Sequence, residues 1–532
     1  MAALLVLSTL CLALAVVCPP QWQPWVQFAA AALVAVAVTA RRGGRPLLAP
    51  RPRPRSTPVD VVDLVAPDQS HVGCVEGGRM VTTAVEIGAG ALTPTEVGRD
   101  DPAAFSGVRL PLAAAARQLD QGGVVLEGID VVVRGRRAAE GPDGAVYGDL
   151  VGPLALVSHR RVHLLLRFDL ARLTSGPRAV VGGSLERAVA VATERLRRSL
   201  VHHGVPCRVL DATELAERFL EAEASPTDAA ATGLVVRAGS DPREVVDALS
   251  AVPAVEVTEV VRMRRVEGRA DLVDVVTTVA LTGAAPDALP AAATDRCRPA
   301  DPARSLPVPG EALPDVLAGE LSRRRIAELD LLAPPAHGAG QILGASRSGG
   351  ASTLQLAGPH LRSVLLAARP AVCRQVVFRA VAAGYRVAVV TDVPDRWRPL
   401  LAIGDEARYR LVDPDASDAG APVDAVVWDV DGPLSEARID ALAGPGGPDV
   451  TPPTVIRVDA DWDAGASHRS PAATPPDLVL DGRIDGWISV EPRSGEPFRV
   501  TVVSGPGEEA FVGRREAVTP AGAAPSASPG RP

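Results

Sequence analysis

Two apolar runs open the chain. Residues 2–18 and 25–40 hold no charged side chain. They are separated by Pro19, Pro20 and Pro24, which break a helix. An arginine-rich stretch comes next, with Arg41, Arg42 and Arg45 and no acid before Asp60. The pattern predicts a two-helix transmembrane hairpin over residues 1–45. Trp22 and Trp25 then fall at one membrane interface and Arg41, Arg42 and Arg45 at the other. The excess of positive charge places that second side, and with it both termini and the whole body, in the cytoplasm. The expected location is therefore the plasma membrane, as a two-span protein. Residues 46–58 read as a stiff Pro/Arg linker able to touch a lipid bilayer.

Beyond residue 58 the apolar positions recur with short periods. "VTTAVEIG", "GIDVVVRG", "RVHLLLRFDL", "AVEVTEVVRMRRVEG" and "ADLVDVVTTVALTG" have strand composition. Between them "SLERAVAVATERLRRSLVHHG" carries a helical stripe of Leu185, Ala188, Val189, Val191, Ala192, Leu196 and Leu200. Ser184 is its expected N-cap and Gly204 its stop. This gives a cytosolic α+β domain over 59–285. An Ala/Pro-rich linker spans 286–310. From 311 to 513 strands and helices alternate: "SVLLAA", "AVCRQVVFRAVAAG", "YRVAVVTD", "DAVVWDVDG", "SEARIDALAG" and "PTVIRVDA". That order predicts a Rossmann-like α/β domain. "EALPDVLAGELSRRRIAEL" reads as a helix leading into it, and "GWISVEP" with "FRVTVVS" as a closing hairpin. The tail 514–532 is low-complexity. The expected fold class is thus α/β and α+β, behind the transmembrane hairpin.

Composition narrows the chemistry. The net charge of −8 gives no basic character suited to nucleic acid. The chain contains no lysine at all, which excludes a P-loop lysine and a Schiff-base lysine together. The six cysteines form no CxxC pair, and no histidine pair joins them at zinc spacing.

Three motifs invite a site. "QILGASRSGGAST", 341–353, has Gly344 and Gly349 at phosphate-loop spacing. Gly350 and Ala351 stand where Lys and Ser/Thr are required, and the residues after them alternate like a strand. It reads as a β-hairpin at the edge of the domain. "AVVWDVDGPL", 425–434, resembles the first motif of haloacid-dehalogenase-type phosphatases. Asp429 would be the nucleophile and Asp431 the acid/base, although Pro433 replaces the usual Thr. Asp459, Asp461 and Asp463 alternate as in a calcium loop but lack its glycine and terminal Glu. His159 and His163 share one face of a strand with no evident partner, and His202–His203 end a helix. These readings assign no catalytic residue, no cofactor and no metal.

Four segments carry a family resemblance: "DQSHVGCVEGGRMVTTAVEIG", "VYGDLVGPLALVSHRRVHLLLRFDL", "AVAVATERLRRSL" and "VCRQVVFRAVAAGYRVAVVTDVPDRW". With the apolar N-terminus, their order resembles the EccE component of the actinobacterial type VII secretion system. The likeness covers roughly residues 1–400 and is weaker beyond them. It implies a structural, non-enzymatic subunit of a plasma-membrane secretion complex, beside subunits of the EccB, EccC and EccD types. EccC supplies the ATPase in that family, so no nucleotide, nucleic acid or small-molecule substrate is expected here. The competing reading is a membrane-tethered phosphohydrolase using Asp429 and Asp431.

Overall fold

The computed structural model describes residues 59–513, chiefly excepting 89–93, 99–107, 175–184, 222–230, 285–288, 444–451 and 460–474, together with Arg41–Arg42 and Arg45–Pro46. The chain forms two compact units, one of Met1–Pro58 with Pro226–Ala230, the other of Val59–Ser225 with Ala231–Pro532. In the first unit Arg41–Arg42 pairs antiparallel with Arg45–Pro46.

The transmembrane hairpin at 1–45 is a correction. No helix among the described residues is long and apolar enough to cross a membrane. The two runs are also shorter than the roughly 20 residues that a spanning helix needs. The plasma-membrane location with two spans and both termini cytoplasmic rested on that hairpin and is corrected with it. The runs at 2–18 and 25–40, with Trp22 and Trp25, lie outside the described residues. Arg41, Arg42 and Arg45 belong to the short strand pair.

The second unit is mixed α/β, built on two sheets of eleven strands each. The first sheet is antiparallel throughout. Its order is Cys297–Ala300, Ala231–Val236, Leu272–Thr282, Glu256–Arg265, Gly128–Arg136, His159–Asp169, Met80–Ile87, His71–Gly77 and Asp60–Val65. Ser322–Arg325 adds to Leu272–Thr282, and Cys207–Val209 to Met80–Ile87. Strand alternation sorts its residues. Ile129, Val131, Val133, Leu164 and Leu166 face one core, which the helix Leu185–His202 covers. Val132, Leu165 and Val260 face a smaller core closed by Leu215 and Phe219. The stripe on Leu185–His202 is rotated slightly from the expected one. Ala190 and Thr193 are buried, and the Thr193 hydroxyl meets that of Thr83 at 2.7 Å. Gly204, at φ +79°, ends this helix as expected, and the Val205 N–H donates back to Leu200 O.

The second sheet is where the Rossmann-like expectation is corrected. Only one half is parallel, in the order Tyr409–Val412, Val387–Thr391, Ala425–Asp429, Thr454–Asp459, Ser363–Ala368 and Leu478–Gly482. The rest is antiparallel: Trp487–Pro492, Phe498–Thr501, Gln341–Ala345, Ala351–Leu354 and Thr95–Val97. Short turns join Trp487–Pro492 to Phe498–Thr501 and Gln341–Ala345 to Ala351–Leu354 and allow antiparallel pairing, whereas a parallel pair needs a crossover helix. The helix Pro370–Ala383 is such a crossover. It is buried on nearly every side, including Gln375 and Arg379, whose polar ends are met by Glu508.

The two sheets exchange chain segments. Thr95–Val97, early in the sequence, is an edge strand of the second sheet. The helix Pro142–Val151 places Tyr147 and Val151 in the second sheet's core. In return, the stretch read as a helix at 311–329 gives a 3₁₀ turn, the strand Ser322–Arg325 and a second turn, Ile326–Leu332. Pairing with Leu272–Thr282 and the Arg323–Asp274 ion pair (3.0 Å) override its helical period. Within the stretch read as a linker, Cys297–Ala300 is a strand of the first sheet.

Candidate functional site

The strand ends of the parallel half are the natural place for a ligand. Val387–Thr391 continues through the helix Pro394–Trp397 to Tyr409–Val412 on one side. Its neighbour Ala425–Asp429 continues through the helix Glu436–Ala443 to Thr454–Asp459 on the other. Connections that diverge from adjacent parallel strands open a crevice at their carboxyl ends, and open α/β sheets bind ligands there. Thr391 and Asp429 face each other across this point in register.

Here the crevice is filled from within. Asp429 is 5% exposed. Its Oδ2 accepts from Thr391 Oγ1 at 2.9 Å and from Trp397 Nε1 at 2.6 Å. Its Oδ1 accepts from Arg396 Nη1 at 2.5 Å. Trp397 is fully buried, and its carbonyl accepts from the Tyr409 hydroxyl at 3.3 Å. A carboxylate offers about four lone-pair positions, and three are taken by strong donors. Burial, with the charge of Asp429 next, pushes the nearby Cys373 thiol up to about 12, so no thiolate is available in its place.

Asp431 does not complete a pair. It is exposed, and among the described residues no hydrogen bond or ion pair joins it to Asp429. An acid/base pair needs both groups turned toward one reacting atom. The geometry makes Asp429 a pin between the strand end and the Pro394–Trp397 turn. Asp459 ends its strand, while Asp461 and Asp463 lie outside the described residues. Among the described residues no cluster of His, Cys, Asp or Glu could hold a metal ion.

The glycine loop is a hairpin, as its alternation implies. Gln341–Ala345 pairs with Ala351–Leu354, and the Ser346 N–H donates to Gly350 O at 2.8 Å across the turn. It is not at an edge, however. Gln341–Ala345 also pairs with Phe498–Thr501, and Ala351–Leu354 with Thr95–Val97. The glycines answer to this crowding. A Cβ on Gly344 would lie 2.2 Å from the Thr501 carbonyl oxygen, and one on Gly350 2.6 Å from that of Val97. Gly349 turns the chain at φ +81°.

Two charged groupings escaped the sequence reading. Arg379 and Glu508 form an ion pair at 2.7 Å, their side chains 2% and 1% exposed. Arg379 also donates to the Ile342, Leu343 and Val503 carbonyls, and Glu508 accepts from Gln375 and from the Gly505 N–H. The group ties helix Pro370–Ala383 to the hairpin and to the C-terminal turn. The second grouping surrounds His163. Glu86 Oε1 lies 3.4 Å from its Nε2, so the partner that seemed missing is one strand away in register. Burial alone would raise the Glu86 carboxyl, but His163, Arg218 and Arg208 overturn it and hold the group at about 2. The signal for this grouping was the period-two series His159, Arg161, His163 on one strand face.

These features define a mixed α/β protein whose strand-end crevice is closed by its own side chains. Residues 156–250 match the family model described as "Putative type VII ESX secretion system translocon, EccE". Over that segment the match supports the EccE resemblance. The matched segment runs from the strand His159–Asp169 through the helix Leu185–His202 to the helix Pro242–Ser250. No curated protein matches the chain.

Proposed function

We propose that this chain is a non-enzymatic scaffold subunit of a type VII secretion assembly, and that its partners are subunits of the EccB, EccC and EccD types. The observation that supports the reading most is the set of three strong donors that hold Asp429. Among the described residues, the strand-end crevice where an α/β sheet would hold a ligand is occupied by Trp397, Arg396 and Thr391. In this reading the two sheets, with strands exchanged between them, act as structural layers rather than as a catalytic pair.

The test is affinity purification of the tagged chain from cells that carry the secretion system. Subunits of the EccB, EccC or EccD type should co-purify, and deletion of the gene should impair secretion. Recovery of the chain alone, with secretion intact after deletion, overturns the reading. So would a magnesium-dependent phosphatase activity that Asp429→Ala abolishes.

A further inference from the structure

On the face of the first sheet that carries Val132 and Leu165, the central strands end in arginine. Arg134 stands directly opposite Arg161, and two residues on Arg136 stands opposite His159. Like charges directly opposed across a strand pair are destabilising. The turn Glu217–Glu221 brings a further guanidinium, Arg218, to the same place. Arg134 Nη1 donates to the Arg218 carbonyl at 3.1 Å, and its guanidinium carbon lies 5.4 Å from the centre of the Phe219 ring.

The neighbouring acids are largely committed. Glu256 lies 3.5 Å from Arg136. Glu86 lies 3.7 Å from Arg218 but only 2.6 Å from Arg208, which also reaches Glu214 at 2.6 Å. From the second sheet, Asp424 is held by Arg386 through both its oxygens, at 3.1 and 3.3 Å. Among the described residues Arg161 has no hydrogen bond or ion pair, and it is exposed. His159 adds no charge near neutral pH: burial, with Arg161 next, holds its ring down at about 4. A chain of net charge −8 thus carries here more guanidinium than carboxylate.

We propose that this end of the sheet face is a docking surface for an extended acidic peptide segment of a partner protein, gripped by Arg136, Arg161 and Arg218. The spacing favours a peptide. Arg136 and Arg161 are diagonal neighbours across the strand pair, about 7–8 Å apart by sheet geometry. An extended chain with carboxylates at alternate positions repeats that interval, and guanidinium and carboxylate match as planar forks. A single phosphate would call instead for donors converging on one point. The proposal deepens the scaffold reading and rests on it for the existence of a partner. Peptide binding can nevertheless be measured without any assembly.

The experiment titrates the full chain with a short peptide alternating Glu and Ser, with its Gln counterpart, and with pyrophosphate. The Glu peptide should bind, weaken as salt rises, and lose about tenfold or more in affinity on Arg161→Glu, as expected for a lost charged contact. Among the described residues Arg161 makes no hydrogen bond or ion pair, so this variant should unfold at the wild-type temperature. Arg136→Gln provides a second arm with a smaller loss. Equal binding of the Glu and Gln peptides, or wild-type affinity in Arg161→Glu, overturns the proposal. Pyrophosphate binding more tightly than the peptide does so too, since it would mark a site for small polyanions. Loss of peptide binding in a chain that still co-purifies with its subunits would fault this surface and leave the scaffold reading standing.

Discussion

Arg379 and Arg161 sit in opposite electrostatic situations. Arg379 lies beneath the second sheet with every direction of its guanidinium spoken for: Glu508, and the carbonyls of Ile342, Leu343 and Val503. Arg161 lies on the first sheet, exposed and facing another arginine. The first arrangement resembles that of Asp429, whose donors close on it from two elements. In both, charge has been used up in holding chain segments together. Surplus charge remains at the Arg134–Arg161 row. Completeness of partners therefore separates structural groups from groups left for binding, and it does so more reliably than residue type or motif.

The contrast breaks most sharply at Glu508. Glu508→Ala leaves Arg379 buried without its counter-charge, and removing one member of a buried pair costs about 3–5 kcal/mol. Urea unfolding of the full chain should show that loss, while Arg161→Gln should leave the midpoint unchanged. A wild-type midpoint in Glu508→Ala would mean that the pair does not tie helix Pro370–Ala383 to the C-terminal turn.

The hairpin gives the next effect. Gly344→Ala drives a methyl into the Thr501 carbonyl, 2.2 Å away. Backbone cannot step aside as a side-chain tip can, so the cost should reach about 3 kcal/mol, the upper end for overpacking. Gly349→Ala meets open space and only its positive φ. About 1–2 kcal/mol is expected there. Equal losses at the two glycines would argue that turn conformation, rather than close packing, selected both.

This pair also shows what could be read in advance. The hairpin was legible because strand alternation and turn glycines are local signals. Its embedding was not, since Thr95–Val97 is too short for any period and arrives from far along the chain. Asp429 was legible as a strand-end carboxylate. Its set of donors was invisible, because Trp397 and Arg396 approach from a turn more than thirty residues earlier. Arg379 and Glu508 are 129 residues apart, and nothing local links them. The 311–329 stretch has a genuine helical period, but strand pairing with Leu272–Thr282 overruled it. The apolar N-terminal runs and the arginines after them suggested a membrane hairpin, and neither signal tests whether a spanning helix forms.

Asp429→Ala ranks next in size. It strands the Trp397 indole N–H, the Thr391 hydroxyl and part of the Arg396 guanidinium. Thr391 keeps its contact with the Val393 N–H, at 2.9 Å, and Arg396 can reach water, so a loss of about 2 kcal/mol is expected rather than a full sum. Near-ultraviolet circular dichroism should report the freed tryptophan. A variant as stable as the wild type, with the tryptophan signal unchanged, would show that the crevice is not held shut by Asp429 and would reopen it as a ligand site.

Glu86 stands between the two regimes, committed to Arg208 yet bordering the surplus arginines, and its titration measures how far that commitment goes. Its folded-state value of about 2 lies below the ordinary 4.5. The unfolded chain therefore takes up this proton first as the solution is acidified. The contribution to stability is complete above about pH 4.5 and drains away toward pH 2, by about 1.4 kcal/mol per pH unit. His163 acts in the same sense from higher pH. Burial first, against the pull of Glu86, depresses its proton affinity below 6.5, so acid also favours the unfolded state there. Glu86→Gln removes the first component and, by removing the pull on His163, depresses that ring further. Urea midpoints measured from about pH 4.5 down to about pH 3 should fall more steeply for the wild type than for Glu86→Gln. Parallel curves over that range would place Glu86 among the ordinary surface acids. The arginines around it would then be even less compensated than the geometry implies, and an acidic partner would find more charge to meet.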